Sequence, residues 1–315
     1  MRICRFRHAG ESKIGYYSEQ SVVPLADAAE HFDGPVPEDF LASSDVICYL
    51  PNGQWYRTAK SIFDWLDSDA RLFETLGQPC DQVQLLTPVP RPNKLLLLAG
   101  NYAAHVEEGG EMAAERSETF PYVFMKPPST TLVDPNQSVA LPSVSADHID
   151  YELELAVIIG KTAKDVSEKD ALHHVAGYTI VNDLSDRKFR PNLDRRERDR
   201  DKFFDWMHGK WHDGFCPCGP CVTSAATIPD PQALSMKLSV NGQVYQDAST
   251  ALQVFPVAAV IEFISSFATL EPGDIISTGT PAGVGAPQGR FLQPGDSIEA
   301  SIESIGVLHT KILKS

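Results

Sequence analysis

Most of this chain alternates apolar and polar residues with a period near two, or gathers its apolar residues into short runs bordered by Gly, Pro, Asn or Asp. Both patterns predict strands. Segments 94–99, 151–159, 177–181, 236–240, 274–278 and 297–302 read this way. So do 2–8 and 14–25, whose Gly, Ser and Glu breaks suggest a hairpin. Helical spacing is rarer. Ile62, Phe63, Trp65, Leu66, Leu72, Phe73 and Leu76 predict one helix over 61–76, stopped by Gly77. Ser167 can cap a short helix through Val175, and 255–267 can form another. Strands and helices do not alternate regularly, which excludes a doubly wound parallel sheet and predicts a mostly β, α+β fold.

The segment Thr-Pro-Val-Pro-Arg-Pro-Asn at 87–93 is a stiff, extended connector. It divides the chain into a small N-terminal domain, 1–86, and a larger domain, 94–315.

The formal net charge of -15 repels phosphate backbones and anionic lipid, so no nucleic acid or membrane partner is expected. The apolar runs 95–98 and 156–159 fall far short of the roughly 20 residues a helix needs to cross a bilayer. No stretch of signal-peptide length opens the sequence, which points to the cytoplasm and to free thiols for its six cysteines. Cys216, Cys218 and Cys221 lack a fourth ligand at zinc-finger spacing, although His208 and His212 lie upstream. They read best as a Pro/Gly-rich turn with inward thiols. Residues 186–202 hold eight Lys/Arg interleaved with five Asp/Glu, the pattern of a solvated or dimer-facing insertion. His173 and His174 read as structural or exposed.

The chemistry concentrates in Asp-Tyr-Glu-Leu-Glu-Leu at 150–155. On a strand, Glu152 and Glu154 share one face and Leu153 and Leu155 the other. The apolar run that follows predicts burial on both faces, where two carboxylates repel and raise each other's pKa unless a cation intervenes. Asp183 closes the strand-like run 177–182 and supplies a third acid. Three carboxylates without paired His or thiolate ligands favour Mg²⁺, with Mn²⁺ or Ca²⁺ as substitutes. Mg²⁺ would keep positions open for water and a chelating substrate. His105 and Glu108 stand one helical turn apart, and an imidazole ordinarily titrates near neutral pH. The segment 278–285 is rich in Gly but is no phosphate loop, because no Gly-Lys-Ser/Thr follows it.

These segments resemble the fumarylacetoacetate hydrolase family. The resemblance rests on G-N-Y-A-A-H (100–105), F-M-K-P (124–127), D-Y-E-L-E-L-A-V-I-I-G-K (150–161), G-Y-T-I-V-N-D-L-S-D-R (177–187), G-K-W-H-D-G-F-C-P-C-G-P (209–220), V-N-G-Q-V-Y-Q (240–246) and L-E-P-G-D-I-I-S-T-G-T-P-A-G-V-G (270–285). It spans 95–310 and adds little to the first 85 residues. It implies a β-roll catalytic fold, a homodimer, and a divalent metal on Glu152, Glu154 and Asp183. It also implies a His105–Glu108 dyad in a lid over a small 2-oxo acid substrate.

Lys210, in the Gly-Lys motif, would steady developing negative charge beside the metal. Arg187 resembles an arginine that organises the family site. Many relatives carry Gln where this chain has Arg190; a guanidinium there could bind a second carboxylate bidentately, as on a dicarboxylate substrate. Backbone amides of 278–285 and the Thr280 hydroxyl could hold the substrate carboxylate. Asn182 and Gln246 would line the pocket.

The expected reaction is Mg²⁺-dependent hydrolysis of the C–C bond of an acylpyruvate, with water activated by His105 and the departing carbanion held as a metal-bound enolate beside Lys210. Decarboxylation of oxaloacetate-like acids and isomerisation or decarboxylation of hydroxydienoates from aromatic catabolism use the same centre without activated water. A non-catalytic metal-dependent binder would have no need of the dyad.

Overall fold

The computed structural model describes residues 1–314. Its largest sheet runs, neighbour to neighbour, through strands Gln78–Pro79, Ser21–Pro24, Glu11–Tyr17, Arg2–His8, Cys216–Ser224, Val175–Asn182, Leu153–Ile159, Ile275–Ser277, Leu95–Ala99 and Tyr122–Met125. A second sheet orders Gln243–Ser249, Ser235–Val240, Ser297–Ile302, Gly306–Leu313 and Ser138–Ala140. Most pairings are antiparallel, and helices are short and few, as an α+β chain requires. No helix among the described residues is long and apolar enough to cross a membrane.

The strands Leu153–Ile159 and Val175–Asn182 are buried at every position. They hold the centre of the large sheet, so their apolar runs face protein on both sides. Their antiparallel register sets Leu153 opposite Asn182 and Glu154 opposite Val181. The register carries Glu152 and Asp183 to the same end, where the Asp183 N–H donates to the Glu152 carbonyl at 2.9 Å.

Residues 1–86 join this sheet directly. Strand Arg2–His8 pairs with Cys216–Ser224 (Arg2 opposite Thr223, Ile3 opposite Val222). Its alternate side chains feed both apolar layers. Cys4 and Phe6 lie in a core shared with Leu153 and Leu155, and Ile3 in one shared with Ala156 and Ile158. The Pro-rich connector is pinned as well: the Thr87 carbonyl accepts from Arg5, its N–H donates to Asp134, and Val89 is buried.

Two expectations change here. The helix expected over 61–76 is two helices, Tyr56–Asp67 and Ala70–Leu76. Asp69 breaks it by turning its carboxylate onto the Arg71 N–H, which starts the second helix; Gly77 does end it. The cysteine segment is no turn. Cys216–Ser224 is a fully buried strand in the middle of the sheet. Pro220 falls where the ladder to Val175–Asn182 shifts register, between Tyr178 and Ile180. The six cysteines are free, and burial pushes the Cys216 and Cys221 thiols up to about 12. Neutral thiols of this kind pack as small apolar groups.

Because Phe6 is fully buried in a core shared by both parts of the chain, Phe6→Ala is expected to lower stability by about 3–5 kcal/mol. Thermal or urea unfolding of the variant should remain one cooperative transition at a lower midpoint. A second transition, with the larger part melting as before, would show residues 1–86 to be an independent unit.

Candidate active site

The acid triad forms as the alternation requires. One oxygen from each of Glu152, Glu154 and Asp183 lies within 4.8 Å of the others, and all three residues are buried. Glu152 stands just ahead of the strand Leu153–Ile159, with its backbone N–H donating to the Asn182 side-chain oxygen at 3.0 Å.

The cluster is a balance of charge. Glu152 Oε1 accepts from Ser185 Oγ at 3.0 Å and faces Arg187 Nη2 at 2.8 Å; its Oε2 accepts from Lys210 Nζ at 3.0 Å. Asp183 Oδ2 accepts from the same Lys210 ammonium at 2.5 Å, and Asp183 Oδ1 faces Lys126 Nζ. Arg187 Nε also donates to Asp150 Oδ2 at 2.9 Å. Burial alone would push the Glu152 carboxyl up, but Lys210 and Arg187 outweigh it and hold it well below the ordinary range. Burial likewise opposes the charge on Lys210, and Asp183 and Glu152 overcome it, so its pKa rises.

Glu154 has no cation. Gly279 N–H donates to its Oε2 at 2.9 Å, while its buried Oε1 has no partner. Burial, then the charges of Asp183 and Glu152, push its carboxyl well above the ordinary value. A hard divalent ion fits this donor set. It would give the stranded oxygen a partner and remove the repulsion that raises Glu154.

The dyad forms too. His105 and Glu108 lie on the short helix Ala103–Glu108, with Nδ1 and Oε1 2.8 Å apart. The other Glu108 oxygen accepts from Gly283 N–H at 2.9 Å, and with Nδ1 on Glu108 the Nε2 of His105 is left for other partners. His105 lines a cavity of about 290 Å³ with Val106, Arg187, Trp206, Val284 and Pro287.

Several residues expected at the substrate are engaged within the protein. Gln246 is fully buried, and its amide group is spent within the protein. Its oxygen accepts from Leu153 N–H at 3.0 Å, and its nitrogen donates to Thr280 Oγ1 and the Pro281 carbonyl, each at 2.8 Å. It therefore positions the 278–285 loop and has no hydrogen left for a substrate. Three amides of that loop are engaged within the protein: Gly279 serves Glu154, Gly283 serves Glu108, and Gly285, with the following Ala286, serves Asp150. Thr280 is buried, with its oxygen accepting from Gln246. Asn182 is a framework residue whose Nδ2 is unpartnered. Arg190 is exposed, in an outer groove that it shares with Arg187 and Lys188. His212 pairs with Asp186 at 3.3 Å and His208 is exposed; neither belongs to a ligand cluster with the cysteines among the described residues.

Four contributors were not singled out in the sequence: Lys126, Asp150, Ser185 and Trp206. Lys126 and Asp150 stand inside segments that carry the resemblance, F-M-K-P and D-Y-E-L-E-L. Only the tertiary structure shows what they touch.

A fold of this kind, with a carboxylate triad beside a His–Glu dyad, defines a metal-site enzyme scaffold, and the comparisons identify which. The family model described as "Fumarylacetoacetate (FAA) hydrolase C-terminal" matches residues 94–313, and the chain belongs to that family. It is 39% identical over 307 residues to the "Fumarylacetoacetate hydrolase domain-containing protein 2 homolog" of Dictyostelium discoideum, covering 94% of this chain and 91% of the relative. It is 37% identical over 237 residues to the mitochondrial oxaloacetate tautomerase Fahd2a of Rattus norvegicus, covering 75% of this chain and 71% of the relative. Among solved structures, the maleylpyruvate hydrolase of Sphingobium sp. SYK-6 in complex with manganese(II) ion and pyruvate superposes with a TM-score of 0.69, at 28% identity, over the full length of both chains. The triad and this neighbour together support a divalent metal cofactor.

Glu154→Gln removes the one carboxylate that lacks a counter-charge. The variant is expected to lose at least about 10-fold in Mg²⁺ or Mn²⁺ affinity by titration calorimetry. Its metal-free melting temperature should be equal to or above that of the parent, because an unpaired buried carboxylate destabilises. Undiminished metal uptake would exclude Glu154 as a ligand.

Proposed function

We propose that this protein is a divalent-metal-dependent hydrolase that cleaves the C–C bond of an acylpyruvate-type 2,4-dioxo acid, with Mg²⁺ as the ion. The observation that carries the reading is the His105–Glu108 pair. Carboxylate and imidazole are 2.8 Å apart, Glu108 is itself fixed by Gly283 N–H, and His105 opens onto the cavity that Arg187 also lines. A binding protein needs no such base.

When bound by Glu152, Glu154 and Asp183, the ion would supply the positive charge that steadies negative charge developing on the oxo acid. The remaining work falls to the chain's own residues. Glu108 orients the His105 ring so that Nε2 accepts a proton from water. The hydroxide adds to the carbonyl distal to the 2-oxo acid group. The C–C bond then breaks, and its electron pair passes to the pyruvate fragment. The products are a carboxylic acid and, after protonation, pyruvate. Lys210 Nζ, between Glu152 and Asp183, offers N–H groups to the oxyanion. Arg187 keeps Glu152 oriented through Asp150.

A second reading has its own support. Thirty-seven per cent identity to an oxaloacetate tautomerase favours proton transfer between carbon and oxygen of a 2-oxo acid, for which His105 Nε2 is equally suited. Product analysis separates the two: two carboxylic acids mark hydrolysis, while a change of tautomer without change of mass marks tautomerisation.

Acylpyruvates and oxaloacetate, each with Mg²⁺ and with chelator, form the decisive screen. Metal-dependent release of pyruvate from acetylpyruvate is expected. In His105→Ala that turnover should fall by about 10²–10⁴ with metal affinity unchanged. A variant as fast as the parent would remove His105 from the mechanism, and pyruvate release that ignores the chelator would remove the metal.

A further inference from the structure

Two lysines hold Asp183, and they are built differently. Lys126 is 1% exposed. Its Nζ lies 2.5 Å from Asp183 Oδ1 and donates to the carbonyls of Leu184 at 2.9 Å and Phe215 at 2.5 Å. Lys210, also buried, donates to the carboxylates of Glu152 and Asp183 and lies over the Phe124 ring, 5.4 Å from its centroid, with no carbonyl to tether it. Lys126 therefore cannot leave without stranding two carbonyls. Lys210 has no such backbone tether. One ammonium is anchored to the main chain and the other is held by carboxylates.

The charges give this difference a consequence. Glu152, Glu154 and Asp183 with Lys126 and Lys210 sum to one net negative charge. A divalent ion would turn that into one net positive charge, which attracts a substrate carboxylate. Without Lys126, the same ion would leave the cluster neutral.

We propose that Lys126 is a positioning residue of this site: it clamps Asp183, moderates the hold on the divalent ion, and keeps the metal-loaded cluster cationic toward a 2-oxo acid. The proposal rests on the reading that the triad binds a metal. It concerns binding, whichever reaction follows. Lys126 touches neither the dyad nor the cavity that His105 lines.

The test is titration calorimetry with Mn²⁺, then with pyruvate on the Mn²⁺-loaded protein, for the parent, Lys126→Met and Lys126→Arg. Loss of a buried positive charge beside a metal ligand is expected to tighten Mn²⁺ binding at least about 10-fold and weaken pyruvate binding at least about 10-fold. Lys126→Arg, which keeps the charge, should stay near the parent in both. A purely structural lysine would lower the melting temperature without tightening metal binding. If Lys126→Met does not fold, Lys126→Gln, whose amide can still donate to a carbonyl, carries the same comparison. Unchanged or weaker Mn²⁺ binding in the folded neutral variant overturns the proposal. Parent protein that takes up no Mn²⁺ overturns the metal reading and this inference with it.

Discussion

Negative charge buried at the end of the central strands is the constraint from which the rest of the site follows. Leu153–Ile159 and Val175–Asn182 are buried at every position, so carboxylates at their mouths cannot rely on water. Each must find a donor or a cation within the protein. Arg187, Lys126 and Lys210 are drawn in for this reason, and so are Ser185 and the Gly279 amide. The supply falls one charge short, because Asp150, Glu152, Glu154 and Asp183 face only three permanent cations. The shortfall is localised on Glu154, and that local deficit gives a divalent ion a place to bind.

The same constraint reorganises the glycine-rich segment 278–285. Its Gly279, Gly283 and Gly285 amides are turned inward, onto Glu154, Glu108 and Asp150. Gly283, at φ 104°, comes so close to Tyr245 that a side-chain carbon would lie 2.0 Å from its carbonyl oxygen. No other residue fits there without moving one strand of the second sheet. The loop thus ties triad and dyad to one backbone segment, with Gln246 bracing it against Leu153 from behind. Base and metal site are held in a fixed relation although they lie far apart in sequence.

What the sequence discloses follows from the range of each interaction. Period-two alternation is local, so Glu152 and Glu154 were legible as a pair, and the one-turn spacing made His105 and Glu108 legible in the same way. Asp183 joins them once the two apolar runs are neighbouring strands. The helix break at Asp69 was a local competition between side chain and backbone, hidden because Ser68 and Asp69 interrupt an otherwise consistent apolar spacing. In the cysteine strand the Gly and Pro content points to a turn, while its complete burial is something no local pattern records. Gln246 reads from sequence as a pocket residue, but its three partners come from two distant segments. Lys126 was hidden for the same reason, since Asp183, Leu184 and Phe215 lie 57 or more positions away.

A scaffold of this kind can serve several reactions because the costly parts are common to them. Taking three carboxylates out of water and balancing them is needed whether a 2-oxo acid is to be cleaved, tautomerised or decarboxylated. His105 faces a separate cavity, between Val106, Arg187, Trp206 and Val284, whose lining includes none of the triad residues. The cavity lining can vary while the buried charge network beneath stays as it is. The triad, set by strand alternation, is readable in the sequence for this reason, and the substrate is not.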